Sequence, residues 1–319
     1  MDDPELVTIF GGSGFVGTQL VQVLARAGHR LRIAVRRPDL AGHLRPLGGV
    51  GQIQLVQANL RDTGSVTAAL RGAGVVVNLA ATGIERGKQR FRAINVAGAQ
   101  RVAEAAGAAG VKRLVHMSVL GADPDSPSAF ARSRALGEAA VRAAFADAVV
   151  LRPSIIFGVG DDFFNRLGWL ARMLPVMPLF SGGTRLQPVY VGDVAEALAA
   201  AAQGGARAGR VYELGGPEIV THRALVERVL RDTNRRNPIL PLPGAVGALL
   251  ALPMGLLPRP LVTRDQLRLL EADNVVSAEA LKDKRTLQGL GIAPRPLEAV
   301  LPGYLWRFSP NGQFDRQTA

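Results

Sequence analysis

Between an apolar run at Leu6–Phe10 and an amphipathic stretch reaching about Ala27 lies Gly11-Gly12-Ser13-Gly14-Phe15-Val16-Gly17. Glycines at 11, 14 and 17 let the backbone turn tightly and approach a pyrophosphate, whose charge then rests on the amino end of the following helix. A strand before and a helix after is the context in which such a triplet binds a dinucleotide. The next apolar run, over 31–35, ends on Arg36 and Arg37. A protein selective for NAD usually carries an acid there for the ribose hydroxyls. Arginines instead attract a 2′-phosphate, so the pair predicts NADPH over NADH.

These residues need a scaffold, and the pattern supplies one. Further strand candidates follow at 53–57, 75–79, 113–118 and 148–152, with helical patterns between most of them. Strands alternating with helices predict a parallel, doubly wound sheet, because parallel neighbours need crossover connections. Ser126-Pro127 reads as a cap and first turn of a helix running to about Phe145, which puts Phe130 and Arg134 on one face. Gln187-Pro188-Val189-Tyr190-Val191-Gly192-Asp193-Val194 opens another helix, and a strand over 210–213 returns to the sheet. The expected fold is α/β, a Rossmann-type doubly wound parallel sheet with a smaller, mostly helical C-terminal domain. Residues 1–160 plus 186–215 form the nucleotide-binding part, and 161–185 plus 216–319 form the smaller, docking part.

In that smaller part, 238–258 holds no charged residue, but prolines at 241, 243 and 253 break any continuous helix. At best 244–252 gives about 14 Å of helix against a hydrocarbon core of roughly 30 Å. The segment reads as an interfacial or partner-facing element, or as plain core. Thr263-Arg264-Asp265-Gln266 is a capping box that starts a helix reaching about Ala272. The aromatic trio Tyr304, Trp306 and Phe308 offers, with 238–258, apolar surface suited to docking on protein or lipid.

Composition excludes several classes. With no cysteine, the chain forms no disulfide, iron-sulfur cluster or thiolate zinc site, so any redox chemistry comes from a bound cofactor. The four histidines, His29, His43, His116 and His222, show no metal-ligand spacing, and no metal is expected. A net charge of +12 could favour nucleic acid. All but four of the 38 basic residues are arginine, however, spread without an aromatic-interleaved stripe, so no nucleic acid is expected. Anionic lipid or an acidic partner fits the charge equally well. The start, Met1-Asp2-Asp3-Pro4, leaves no room for a signal or transit sequence and implies a cytoplasmic chain.

Gly11 to Gly17, Asn78-Leu79-Ala80, Asn95-Val96-Ala97-Gly98, Leu151-Arg152-Pro153-Ser154 and Val189-Tyr190-Val191-Gly192-Asp193-Val194-Ala195 resemble the successive signatures of an extended or atypical short-chain dehydrogenase. In that family a tyrosine exchanges the proton, a lysine four residues later lowers its pKa and holds the nicotinamide ribose, and a serine helps polarise the carbonyl. This chain has Phe130 and Arg134 at the first two positions, with Ser118 near the third. Phenylalanine has no ionisable hydroxyl and arginine is a permanent cation, so proton chemistry is lost while ribose binding is spared. The resemblance implies a cofactor site made of Gly11, Gly12, Ser13, Gly14, Phe15, Val16, Gly17, Arg36 and Arg37. To these it adds Asn59, Leu60, Leu79, Ala80, Ala81, Asn95, Met117, Ser118, Arg134, Pro153, Ser154 and Ile155, with no catalytic residue.

A closer resemblance rests on Gly121-Ala122-Asp123-Pro124-Asp125-Ser126-Pro127-Ser128, Asp161-Asp162-Phe163-Phe164-Asn165-Arg166, Leu261-Val262-Thr263-Arg264-Asp265-Gln266 with Asp273-Asn274-Val275-Val276, and Leu301-Pro302-Gly303-Tyr304-Leu305-Trp306-Arg307. These look like the NADPH-binding, dehydrogenase-like accessory subunits of respiratory complex I (NADH:ubiquinone oxidoreductase) in their α-proteobacterial form. That implies a non-catalytic subunit stabilised by NADPH, peripheral on the cytoplasmic face of the bacterial inner membrane. Its partners would be other complex I subunits at the junction of peripheral and membrane arms, near the quinone site, and the membrane lipid surface. The alternative is a soluble NADPH-dependent reductase or epimerase, distinguished by turnover. A dinucleotide-sensing or RNA-binding relative would show a steep salt dependence of nucleic-acid affinity.

Overall fold

The computed structural model describes residues 5–243, 247, 263–312 and 314. They group into two compact units. One comprises the described residues up to Pro153 with Val191–Leu214 and Ser277–Ala293, and the other the described parts of Ser154–Tyr190, Gly215–Val276 and Pro294–Ala319.

In the first unit, runs rich in Val, Ile and Leu become the strands β1 (Leu6–Phe10), β2 (Arg30–Val35), β3 (Ile53–Gln57), β4 (Val75–Asn78), β5 (Arg113–Met117) and β6 (Val149–Pro153). With Val211–Leu214 they make a seven-stranded sheet in the order Val211–Leu214, β6, β5, β4, β1, β2, β3. All its pairs are parallel. Helices make the crossovers: α1 (Phe15–Arg26), α2 (Thr63–Ala69), α3 (Ala97–Ala108), α4 (Ala129–Ala144) and, before the last strand, α6 (Val191–Ala202), with α5 assigned below. β4 is buried along its whole length, as expected of a strand covered on both faces. Strand order reverses between β1 and β4, so the crevice beyond their carboxyl ends is the topological switch point.

The helix expected to start at Ser126 starts later. Ser128 is its cap, in extended conformation with its hydroxyl accepting from the Ala131 amide (3.3 Å), while Ser126 accepts from the Ser128 amide (3.2 Å) in the preceding turn. Two serines flank Pro127, and the one that reaches an amide three residues on wins.

The second unit packs α5 (Phe163–Met173) and α7 (His222–Asp232) around Phe157, Phe164, Leu225, Leu301 and Leu305. Short strand pairs join Ile156–Phe157 to Val189–Tyr190, Met177–Leu179 to Ile239–Pro241, and Arg185–Leu186 to Val220–Thr221. The capping box at Thr263 is formed, and its helix ends at Leu269, a turn short of expectation. The 244–252 segment lies, except for Gly247, outside the described residues. Among the described residues no helix is long and apolar enough to cross a membrane.

Of the aromatic trio expected to offer apolar surface, Tyr304 and Phe308 pack within their own unit. Tyr304 is buried, its hydroxyl donating to Asp161, and the Phe308 ring packs against Gly168, where an added Cβ would lie 2.5 Å from its Cδ2. The Asp161 carboxylate also accepts from the amides of Gly158 (3.1 Å), Phe164 (2.8 Å) and Asn165 (3.1 Å), closing the first turn of α5. A tail with its own unit to pack on can turn rings such as Tyr304 and Phe308 inward.

Candidate functional site

The glycine loop follows β1 and opens α1. Gly11 has φ +80°, which favours glycine, and a Cβ there would stand 3.0 Å from the Ala80 amide at the end of β4. At Gly17 a Cβ would lie 2.6 Å from the Gly11 carbonyl oxygen and from Gly12 Cα, so this glycine lets α1 close on β1. Gly14 differs: its φ is −81° and a Cβ would meet only the Gly11 oxygen, at 3.4 Å. No fold contact demands glycine at 14. A side chain there would fill the space in front of the α1 amino terminus, which carries no side-chain cap and no acidic residue in its first turn. Uncapped amides, the helix dipole and a bare Cα make a cradle of the kind a phosphate occupies.

At the end of β2, Arg36 and Arg37 are both exposed, but they are not equivalent. Arg37 is held by Asp39, Nε to Oδ1 at 3.1 Å and Nη2 to Oδ2 at 2.8 Å, a contact that holds the Asp39 carboxyl below its ordinary range. Arg36 has no such carboxylate partner among the described residues. Past β3, the Asn59 amide donates to Ser65 Oγ (2.9 Å) and its side chain accepts from the Arg61 amide (3.1 Å), while Leu60 is buried and its carbonyl accepts from Arg101.

The β4 end is fixed by asparagines. Asn78 Oδ1 accepts from the Ala80 amide (3.2 Å), and its Nδ2 lies 3.3 Å from His116 Nδ1. Leu79 donates its amide to the Phe10 carbonyl (2.9 Å). Beyond Ala81, the Thr82 amide donates to Asn95 Oδ1 (2.8 Å), and Asn95 Nδ2 donates to the Thr82 carbonyl (3.0 Å) and Ser133 Oγ (3.0 Å). Asn95 therefore spends its side chain clasping this loop to α4. It sits on a π-helical turn, Arg92–Val96, and its carbonyl lies so close to α4 that a Cβ on Gly137 would come within 2.0 Å.

On α4, Phe130 stacks edge-on against Phe91, ring centres 5.9 Å apart. One turn on, Arg134 is 2% exposed and donates Nη2 to the Met117 carbonyl, while its Nε and Nη1 have no partner. Burial pushes its guanidinium down to about 10, opposed by nearby Glu138, so it remains a cation near neutrality. Glu138 is committed to Arg152 by two 2.9 Å hydrogen bonds. Ser118 is buried, its amide donating to the Leu151 carbonyl (2.7 Å) and its hydroxyl unpaired. His116 is pushed down to about 3, first by burial and then by Arg134, and stays neutral. Neither Arg134 nor His116 therefore changes charge near pH 7. The group does hold a buried cation and a hydroxyl in need of acceptors and donors.

Pro153 closes β6, its carbonyl accepting from the Leu120 amide (2.8 Å). Ser154 and Ile155 open the second unit, Ser154 Oγ donating to Asn274 Oδ1 (2.5 Å) and the Ile155 carbonyl accepting from the Val189 amide (2.9 Å). Sequence reasoning missed the His116–Asn78 contact and the Asp39 hold on Arg37. The second could have been found, since an acid two residues past an arginine across a proline turn is a local pairing.

A parallel sheet with this switch point and a glycine cradle at β1 defines a dinucleotide-fold protein, and residues 7–215 match the NAD dependent epimerase/dehydratase family, to which the chain belongs. Within that broad class it is similar over nearly its whole length to proteins named NADH dehydrogenase [ubiquinone] 1 alpha subcomplex subunit 9, mitochondrial. The Arabidopsis thaliana protein is 33% identical over 96% of this chain and 79% of its own. The Rattus norvegicus protein is 34% identical over 92% and 78%. Among solved structures, an NADPH-dependent quinone oxidoreductase from Escherichia coli, complexed with NADPH, superposes with a TM-score of 0.73 at 20% identity, over 92% of this chain and 97% of that one. That likeness is one of fold.

Proposed function

We propose that this chain is a non-catalytic accessory subunit of respiratory complex I that holds NADPH as a structural ligand. The observation that carries the reading is the pair Phe130 and Arg134: a ring without an ionisable hydroxyl stands at the position the family resemblance gives to the proton donor, and a buried cation one turn on. The glycine cradle and the α1 terminus would take the pyrophosphate, Arg36 the 2′-phosphate, and Arg134 Nε and Nη1 with Ser118 Oγ the nicotinamide ribose. Asn59, Leu60, Leu79, Ala80, Ala81, Met117 and Pro153 would line the adenine and ribose path, and the family resemblance adds Ser154 and Ile155. When bound, the nicotinamide could supply a hydride. The residues here bind and orient but have no group to move the accompanying proton.

The names of the relatives support partnership with other complex I subunits, and the basic charge suits an acidic partner or anionic lipid; the arm junction is what the family resemblance implies. On this reading the second unit docks and the first holds the nucleotide. The test is purification of the tagged protein from its own membranes in mild detergent, identification of what accompanies it, and assay of released nucleotide. The expected result is complex I subunits with near-stoichiometric NADPH. A lone protein turning over NADPH at ~1 s⁻¹ or more, an ordinary enzyme rate, would make it an enzyme instead.

A further inference from the structure

Arg134 is buried with Nε and Nη1 bare, yet a buried carboxylate stands on the same helix. Glu138 lies one turn on along the buried face of α4, at the spacing where side chains of opposite charge ordinarily meet. They do not meet here. Among the described residues the Arg134 guanidinium bonds the Met117 carbonyl alone. The reason lies on β6, where Arg152 takes both Glu138 oxygens in a fork, Nε to Oε2 and Nη2 to Oε1, each at 2.9 Å. Arg152 is held in turn by its register partner on the neighbouring strand, Glu213, whose Oε1 lies 3.9 Å from Arg152 Nη1. The other Glu213 oxygen accepts from the Ser277 amide (2.8 Å).

Two arginines and two glutamates thus balance in charge but are unevenly paired: Arg152 has both carboxylates and Arg134 has neither. Held by Arg152, Glu138 still steadies the Arg134 charge through space, opposing the effect of burial, but occupies none of its donors. Without the fork, Glu138 would be a buried carboxylate whose other cation is Arg134 on its own helix. A buried charge left without its partner is strongly destabilising, so the two would pair. A ligand hydroxyl would then have to displace a carboxylate, the stronger acceptor of the two.

We propose that Arg152 is a positioning residue for the nucleotide site: it holds Glu138 away from Arg134 and so keeps the Arg134 donors open to the acceptor groups of a bound ligand. The ligand contact given to those donors, the nicotinamide ribose, rests on the reading above. The hold on Glu138 does not, and it can be read in the nucleotide-free protein.

The test uses the full chain with Arg152→Met, Glu138→Met and the double variant, read in two ways. In nucleotide-free protein the Arg134 Nε–H resonance, assigned by its loss in Arg134→Met, moves downfield in Arg152→Met as it takes up a carboxylate. It keeps its parent position in Glu138→Met and in the double variant. NADPH affinity by calorimetric titration falls about tenfold or more in Arg152→Met, the worth of a charged hydrogen bond, and stays within about twofold of the parent in the other two. Recovery in the double variant is the result that a merely structural Arg152 does not give. Glu138→Met leaves Arg152 with Glu213 and folds whatever becomes of Arg152→Met. A loss of NADPH affinity in Glu138→Met equal to that in Arg134→Met overturns the assignment. So does an unmoved resonance in folded Arg152→Met, or a double variant as weak as Arg152→Met. A resonance that moves while NADPH affinity stands still upholds the hold on Glu138 and refutes the ribose contact instead.

Discussion

Replacing Arg134 with methionine separates two roles that a buried cation can play. The side chain is 2% exposed, and among the described residues it bonds the Met117 carbonyl alone and leaves Nε and Nη1 bare. Its descent from the ordinary arginine value to about 10 is, at ~1.36 kcal/mol per pKa unit, a burden of about 3 kcal/mol on the folded charged form. Methionine removes that burden and keeps much of the apolar volume, but forfeits a charged hydrogen bond valued at ~1.5–3 kcal/mol. The nucleotide-free variant should therefore range from unchanged to about 2 kcal/mol more stable, or up to ~4 °C in Tm. Because the folded pKa is depressed, the burden is constant below about 10 and is relieved only as pH rises from there toward the ordinary arginine value, so the difference should not vary between neutral pH and mild alkali. NADPH affinity should fall, since the bare nitrogens are the atoms proposed to meet the ribose. A loss of ~1.5–3 kcal/mol is roughly 10- to 150-fold. Thermal melts with and without NADPH, and calorimetric titration, measure both quantities. A variant destabilised by more than ~2 kcal/mol with NADPH affinity intact would refute the reasoning and make Arg134 a structural cation.

His116 is neutral when folded, with a pKa lowered from 6.5 to about 3, so the unfolded chain takes up the proton first and stability is lost as pH falls from 6.5 toward 3. By pH 5 the loss should be about 2 kcal/mol, and His116→Gln should flatten that slope in urea melts; an unchanged slope counts against it. Arg36→Glu should lower NADPH affinity by ~1.5–3 kcal/mol with little effect on NADH, whereas Asp39→Ala, which releases Arg37, should raise it. If fluorescence titration shows no change for Asp39→Ala, Arg37 stands outside the site. Gly17→Ala, forced against backbone at 2.6 Å, should cost ~1–3 kcal/mol of stability, while Gly14→Ala should melt like the parent and lose dinucleotide binding. Tyr304→Phe, by leaving Asp161 short of its donor, should destabilise the second unit by ~1–3 kcal/mol, measurable by exchange at Phe164 and Asn165.

The glycine loop, the strands and the parallel sheet were legible because each depends on neighbours within a few residues: apolar runs, turn glycines and crossover lengths. Depth was not legible. Helical spacing put Phe130 and Arg134 on one face of α4, but nothing in that spacing says that the guanidinium is sealed under the strand ends or that Glu138, one turn further, is already taken by Arg152. Asn95 likewise carries a signature asparagine, yet its three hydrogen bonds to Thr82 and Ser133 depend on a loop closure that no local pattern encodes. The aromatic tail misled for the same reason. An apolar stripe reads alike whether it faces a partner or, as Tyr304 does, a buried carboxylate on its own chain.

The first unit is assembled from three stretches of chain, and the last, Ser277–Ala293, supplies the Arg285 carbonyl and the Ser277 amide that finish the Glu213 edge. On the ribosome, the 140 residues separating Pro153 from Ala293 need roughly 7–28 s at ~5–20 residues per second. For that interval the growing sheet has an unfinished border, first at β6 and then at Val211–Leu214. The nucleotide fold therefore cannot be completed as its own codons are read. It waits for residues 277–293, and a chain cut short before them leaves the sheet with that edge open, a substrate for chaperones and proteases rather than for assembly.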